Sequence, residues 1–540
     1  MEAGSADLHF CCPALDEPAC QGMPGLFCRV WGQKGSAMPH QKLNQLNRLR
    51  PPALLLALAL FVPTAWADED DTRFLLHQQS RQAAERMAGP EDGLVLQAPP
   101  GALVYEGQVH AVPSTVQALE PAIYIAINTG QWERLAEFVS RYRLLQGHRP
   151  ALAHMAQALL ARQQGDVAQA LRLMQSAQAA EPQDARIALE LARLLFEDNR
   201  DTEARAAFAQ AQQAGLPQTV QDLVQQYRQA LDMRGGWHGS MAVGLGQNSN
   251  INQASGDVTC FLELGGVCAF ERRMPEAIRS GLLNYELALQ RRWHLGGNHN
   301  LQLRPVSYGS YYQRLDERGG AAISDYGNAT SVLYLGYQWL DARRTLNVTP
   351  YVEHFYRNRH TDYLAHGLQL EGQVAVGSRW RLGAMADTKR YVHTDEGRRV
   401  SGSDYTQHQL GLSASYALSP RSMLYGGADM VRKKYSVAQA STRDKVLRAG
   451  VYHGFASKAG LFVNATGIWR NSRNDAFDGF WGGRRHDRQQ VFIASIGASN
   501  WKVAGLTPEL RVRYSRNRSN ADWAFSFEQT EVSMMLRHSF

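Results

Sequence analysis

Cysteine, histidine, acidic and glycine-rich strings are the raw material of active and metal sites, and their spacing is the first test of what this chain could do. Six cysteines occur. Cys11, Cys12, Cys20 and Cys28 precede an apolar segment read below as a signal peptide, and would be lost from the mature protein. Cys260 and Cys268 remain, enclosing Phe261-Leu-Glu-Leu-Gly-Gly-Val267 in a predicted loop. In an oxidising compartment two such cysteines imply one disulfide rather than two free thiols. The bond is expected to pin its apolar segment against a barrel mouth or a partner. His-Thr-Asp occurs at 360–362 and again at 393–395. Either string could supply part of a hydrolase triad, but no serine motif accompanies them, and loop positions are expected. Gly244-Leu245-Gly246 lacks the third glycine and the following helix of a dinucleotide site. No metal-ligand cluster emerges. The expectation is of no catalytic, cofactor or metal site, and of no enzyme.

The elements around these residues follow from length and charge pattern. At 540 residues the chain calls for two or three domains. Outside the N-terminus no run of about 18 apolar residues exists, which excludes a helical membrane protein but not a β-barrel. The formal net charge of +7 is uneven. Lysine is absent from Asp68 to Gly236, and the basic surplus lies beyond Trp237, scattered rather than clustered. That scatter argues against nucleic acid and suits a barrel lumen, or loops facing anionic lipopolysaccharide.

Residues 1–37 lack periodicity and read as upstream sequence translated ahead of a true start at Met38. Residues 38–67 then form a signal peptide: Lys42, Arg48 and Arg50, the apolar run Ala53–Val62, and Ala65-Trp66-Ala67. Cleavage between Ala67 and Asp68 is expected. Residues 68–114 would be an N-terminal periplasmic segment, with short extended pieces and a turn at Pro99-Pro100-Gly101.

Within a repeat domain at 115–235, residues 116–218 show a period of 34. Ala158, Gly165, Ala170, Met174, Ala177 and Pro182 occupy the small, turn, small, large, small and proline positions of a tetratricopeptide repeat. Ala192, Asn199, Ala204, Phe208 and Ala211 repeat the set. A weaker unit precedes them, with its turn at Thr129-Gly130, and a helix from Thr219 to Met233 closes the stack. Small residues let the paired helices approach, and the large ones fill between hairpins.

From residue 236 to 540 the period becomes two. Leu283, Tyr285, Leu287 and Leu289 form one apolar face, Leu410, Leu412, Ala414 and Tyr416 another, and polar residues alternate with them. Six short turns, such as Gly296-Gly297-Asn298 and Asp341 to Arg344, alternate with seven longer polar loops near 248–279, 314–325, 357–363, 393–404, 434–445, 470–489 and 516–527. This is the pattern of 14 membrane strands with both ends on the periplasmic side. Trp293, Trp339, Trp380 and Trp501 lie beside short turns, where an interfacial girdle belongs. The last strand alternates through Val532, Met534, Leu536 and His538 to Phe540, which is read as the barrel assembly signal. The predicted fold class is an α + β multidomain chain, an N-terminal α-helical tetratricopeptide-repeat domain followed by a 14-stranded antiparallel transmembrane β-barrel in the outer membrane.

Several strings resemble the surface lipoprotein assembly modulators, the Slam family. They are Ala122-Ile-Tyr-Ile-Ala-Ile-Asn-Thr-Gly-Gln-Trp132, Pro150 to Asp166, Ala188 to Asp198, and Arg292-Trp293 to His299. The most telling is Gly244-Leu-Gly-Gln-Asn-Ser-Asn-Ile-Asn-Gln-Ala254, which places Asn248, Ser249, Asn250 and Asn252 at the end of the first strand. The resemblance covers nearly all of the mature chain. It implies transfer of particular lipoproteins, or related soluble proteins, to the cell surface. Such clients often bind host transferrin, lactoferrin or haem. The implied partners are a client surface lipoprotein or secreted protein, periplasmic chaperones, the barrel assembly machinery and outer-membrane lipid. A monomer with no nucleic-acid partner and no cofactor is expected. The alternative is an exopolysaccharide export porin with a periplasmic repeat scaffold, although those usually carry longer repeat arrays; a passive porin would leave the repeats unexplained.

Overall fold

The structure is a computed structural model. It describes residues 100–540 apart from 214–215, 314–325 and 358, and apart from the side chains of 261 and 262. The upstream segment, the signal peptide with its Ala67–Asp68 cleavage site, and most of the 68–114 segment lie outside the described residues.

A small hairpin, β1 (Ala102–Tyr105) and β2 (Gln108–Ala111), opens the described chain. Its reversal is at Glu106-Gly107, both with positive φ, and a turn at Pro100-Gly101 leads into it. Three helical hairpins follow: α1 (Val116–Asn128) with α2 (Trp132–Tyr142), α3 (Pro150–Gln163) with α4 (Val167–Ala180), and α5 (Ala185–Glu197) with α6 (Asp201–Gln212). A single helix, α7 (Gln218–Arg234), ends the stack. The helix starts are written locally. Asp166 accepts the Gln169 N–H at 2.9 Å and Asp184 those of Arg186 and Ile187, while Pro150 occupies the first turn of α3, where no amide partner is needed. Gly130, Gly165 and Asn199 recur at the three hairpin turns with φ of 68°, 77° and 60°, the left-handed conformation that ends a helix. Ala158, Ala170, Ala177, Ala192, Ala204 and Ala211 are all buried where helices meet, with Met174 and Phe208 filling between them. Pro182 lies in the exposed turn between α4 and α5.

The rest of the chain is a closed antiparallel barrel of 14 strands. The strands are β3 (Trp237–Asn248), β6 (Ser280–Gly296), β7 (His299–Gln313), β8 (Asn328–Leu340), β9 (Arg344–Arg357), β10 (His360–Val376), β11 (Trp380–His393) and β12 (Tyr405–Ser419). They continue with β13 (Ser422–Tyr435), β14 (Thr442–Gly454), β15 (Leu461–Asn474), β16 (His486–Ala498), β17 (Thr507–Ser519) and β18 (Phe527–Ser539). Each pairs with its chain neighbour, and β18 closes on β3 from Glu531–Asn248 to Ser539–Ser240. The apolar faces point outward: Leu410 and Leu412 are 63% and 67% exposed, whereas inward Glu509 and Ser515 are 1% and 0%. A soluble sandwich would bury the first pair. This inversion, greasy outside and polar within, belongs in a bilayer.

Two loop expectations change. Residues 357–363 were expected to be a long loop, but β9 runs to Arg357 and β10 starts at His360. The loop after β3 contains its own hairpin, β4 (Val258–Leu264) and β5 (Val267–Arg273), which pair only with each other. A disulfide joins Cys260 to Cys268, with Cα atoms 5.8 Å apart. Of the enclosed segment, Leu264 and Val267 are exposed. The clip closes the hairpin on itself.

Candidate functional site: the repeat stack at the barrel mouth

The turn between α5 and α6 is rich in acids, and it is this turn that meets the barrel. Asp201 is buried between two guanidiniums: it accepts Arg234 Nη1 at 2.8 Å from α7 and Arg292 Nη2 at 2.8 Å from β6. Asp198 accepts the Ala342 N–H at 3.2 Å, and its carbonyl accepts Asn298 Nδ2 at 2.6 Å. Glu203 accepts the Gly297 N–H at 3.1 Å, and Asn199 Nδ2 donates to the Asp341 carbonyl at 3.2 Å. The short turns 296–298 and 341–344 are thus the sockets of the repeat domain. Burial pushes the Asp198 carboxyl above its ordinary range, against the hydrogen bonds from Asn298 and Ala342. Burial acts in the same sense on Glu203, but its hydrogen bonds, including those from Arg200 and Gly297, prevail and hold it low. One hairpin earlier, Arg343 Nη2 reaches the Gln164 carbonyl at 3.4 Å. A Cβ on Gly165 would displace that guanidinium, the far end of a flexible side chain, whereas its φ of 77° is what favours glycine here.

The first helices of the hairpins form a second polar surface. Arg186 of α5 donates to Asn128 of α1 at 2.7 Å and lies 5.0 Å from the Tyr124 ring. The first and third hairpins therefore touch directly, past the second. Arg162 pairs with both oxygens of Glu197, at 2.7 and 2.6 Å, and Arg149 pairs with Glu181. On the same helices His154 Nδ1, Glu190 Oε2 and Arg193 Nε are buried and lack hydrogen-bond partners among the described residues.

Within the barrel, charged side chains bridge the seam where its first and last strands meet. Arg537 of β18 pairs with Glu286 of β6 at 2.7 Å and with Glu509 of β17 at 3.3 Å. Arg511 joins Glu286 and Glu509 as well. The bridge passes over β3, because Arg537 stands opposite Ala242 and Ala242 opposite Glu286. The inner face of β3 must stay small for this. A Cβ on Gly244 would lie 2.1 Å from Met535 Sδ, and one on Gly246 would lie 2.2 Å from the Val532 carbonyl. The paired glycines, useless for a nucleotide, have this steric role.

The asparagine string completes the seam. Asn248 Nδ2 donates to Glu531 at 3.1 Å, as does Asn284 at 3.2 Å. Ser249 exchanges hydrogen bonds with the Thr530 backbone through its N–H and its Oγ, both at 2.9 Å. Asn250 binds the carbonyls of Ala254 and Glu528, and Asn252 those of Glu276 and, through its own oxygen, the Ile278 N–H. These four residues zip the long-loop end of the seam and root the first loop. Phe540 continues the pairing at the other end, its backbone bonded both ways to Gly239.

The two His-Thr-Asp strings come together without forming a triad. Thr394 donates to the carbonyls of Thr361 and Asp362, and Asp362 accepts Ser401 Oγ at 2.6 Å. They fasten the β11–β12 loop to β10. Among the described residues no cluster of three or more His, Cys, Asp or Glu could hold a metal ion.

Residues 237–540 match the family model described as Surface lipoprotein assembly modifier, and residues 108–208 match that of its N-terminal TPR repeats. The chain is 27% identical over 520 residues to the Hemophilin secretion modulator of Acinetobacter baumannii, covering 90% of this chain and 99% of that protein. It is 25% identical over 432 residues to Surface lipoprotein assembly modifier 2 of Neisseria meningitidis serogroup B, covering 75% and 83%. Surface lipoprotein assembly modifier 1 of the same organism matches at 24% over 485 residues, covering 86% and 92%. With its helical repeats rooted on the turns of a closed 14-stranded barrel, this outer-membrane protein belongs to the surface lipoprotein assembly modifier family.

Proposed function

We propose that the chain is an outer-membrane translocator that delivers specific surface lipoproteins, or related soluble secreted proteins, from the periplasm to the cell surface. The observation that carries this reading is the carboxylate-lined junction, which holds a helical repeat surface at the short-turn mouth of the barrel. The polar faces of α1, α3 and α5 supply a recognition surface, and three hairpins suit a modest, transient interface. Periplasmic chaperones would hand the client over. The barrel assembly machinery would insert the barrel through its last strand and Phe540. No nucleotide drives export in the periplasm, so client folding outside, or chaperone hand-off, supplies direction. The protein acts as a monomer and catalyses no reaction.

The test is reconstitution in a strain lacking the protein, with a lipoprotein encoded beside it as client. Full-length protein should make the client accessible to external protease, and the barrel alone (237–540) should do so poorly. If no neighbouring lipoprotein or secreted protein changes its exposure and polysaccharide export changes instead, the reading fails in favour of a sugar-polymer exporter.

A further inference from the structure

The lipid-facing wall changes character abruptly on one side of the barrel. Read from the short-turn end, the outward residues of β14 are His453, Val451, Ala449 and Leu447, then Lys445 and Arg443. The outward face of β13 reaches Arg432 after Met430, that of β15 ends on Arg473, that of β16 reaches Arg488 before its terminal His486, and that of β17 ends on Arg518. Each strand is apolar for most of its length and basic in its last outward positions before the long loop. The register aligns these charges. Arg432 stands opposite Arg443, and Arg443 opposite Arg473. Lys445 stands opposite Asn471, Asn471 opposite Arg488, and Arg488 opposite Arg518.

Like charges directly opposite each other across a ladder repel. Asp475 relieves one end of the first row, 2.7 Å from Arg443 and 3.6 Å from Arg432. Lys445, Arg473, Arg488 and Arg518 have no carboxylate within ion-pair distance among the described residues, and all four are exposed. The basic row continues onto β12 and β11, where His408 stands opposite Arg432 and Arg390 is outward and exposed. On the other side of the barrel, outward positions towards the long-loop ends of β18, β3, β6, β7 and β8 include Glu528, Gln247, Leu283, Tyr311 and Ser331.

We propose that this face is a binding site for the phosphorylated disaccharide headgroup of lipopolysaccharide. It lies where the apolar wall ends at the long-loop rim, the depth of the outer-leaflet headgroups. Guanidiniums recognise phosphate by paired hydrogen bonds. The row from Lys445 to Arg518 crosses three strand spacings, about 14 Å at about 4.8 Å each. A single phosphodiester cannot bridge that span, whereas a disaccharide phosphorylated at both ends presents two separated anions. Bound there, the glycolipid neutralises the opposed charges and coats the wall from β14 to β17, whose last strand adjoins β18.

The experiment measures binding of purified lipid A to the full chain in detergent, by native mass spectrometry and by titration across a salt series. Bisphosphorylated lipid A should bind with strong salt dependence. K445Q/R473Q/R488Q/R518Q should weaken it by more than about a hundredfold, while R473K/R488K/R518K should keep most of it. Heat-modifiability of each variant reports whether the barrel is folded; if the glutamine variant does not fold, dephosphorylated lipid A against the wild type decides instead. Equal binding of phosphorylated and dephosphorylated lipid A, or an unchanged folded glutamine variant, overturns the proposal. So does equal binding of phosphatidylglycerol micelles, which would make the belt a general anion surface, or full competition by millimolar inorganic phosphate, which would make it a free-phosphate site.

Discussion

Replacing Asp201 with alanine tests whether the repeat stack is held on the barrel by the ion pairs described. The carboxylate is buried and serves two guanidiniums at 2.8 Å. Removing one partner from a buried ion pair costs about 3–5 kcal/mol, because the remaining charge stays desolvated. Arg234 would keep its bond to the Phe196 carbonyl at 2.9 Å and its place 3.6 Å over the Phe196 ring. The bond to Asp201 is the main compensation for Arg292. The lower end, about 3 kcal/mol, is therefore expected, which shifts the docked-to-undocked ratio by about a hundredfold. The assay is limited trypsinolysis of folded protein in detergent, following cleavage after Arg234 at the start of the Gly235-Gly236 link. D201A should be cut much faster than wild type, D201N less so, while the barrel remains heat-modifiable. In the client-exposure assay D201A should fall towards the barrel alone. If cleavage at Arg234 and client exposure both match wild type, the junction does not hold the domain.

Other outcomes follow from single features. E286A and R537M should each destabilise the detergent-solubilised barrel by about 3–5 kcal/mol, while E286L/R537M should recover much of the loss; simple additivity in denaturant unfolding would refute the seam bridge. Burial, reinforced by the hydrogen bond to Glu120, pushes the Tyr142 hydroxyl up to about 12. Its stabilisation is complete below about pH 10 and lost as pH rises through about 12, so wild type minus Y142F should show one late-titrating phenol by tyrosinate absorbance. C260S/C268S should speed proteolysis within the β4–β5 hairpin and leave the barrel's unfolding midpoint unchanged; a lowered midpoint would mean that the clip supports the barrel. Deleting Phe540 should reduce the folded barrel recovered from outer membranes at native expression, and unchanged recovery would remove it from the assembly signal.

Much of the architecture was legible because it is periodic. Alternation of two along the strands and a spacing of 34 in the repeats are local signals, and Leu410, Leu412, Ala158 and Phe208 show them without any knowledge of contacts. The junction was not legible. Asp201 and Glu203 lie in the first turn of one helix and Asp198 caps the end of the one before, and nothing nearby in sequence indicates Arg292, Asn298 or Ala342 as their partners. The seam bridge joins Glu286 to residues more than two hundred positions away. The loop at 357–363 was misjudged because Arg357 and His360 are polar, yet strand ends at a membrane rim are polar too. The β4–β5 hairpin was missed because it pairs with nothing but itself, which makes its sequence resemble a loop.

The docking of two consecutive repeat turns onto the short turns of the barrel bears on how such proteins can change over evolutionary time. Gln164 and Gly165 meet Arg343, while Asp198 and Asn199, one repeat later, meet Asn298, Asp341 and Ala342. The 341–344 turn thereby takes contacts from two successive repeats, and 296–298 from the later of them, so the repeat pitch is fixed against the barrel rim. Duplicating or deleting a unit between α3 and α7 would put the wrong turn in every socket. Units added ahead of α1 would leave the mesh untouched. Gain and loss of repeats, and with it any retuning of partner choice, should be tolerated at the N-terminal edge of the array and purged from its C-terminal one.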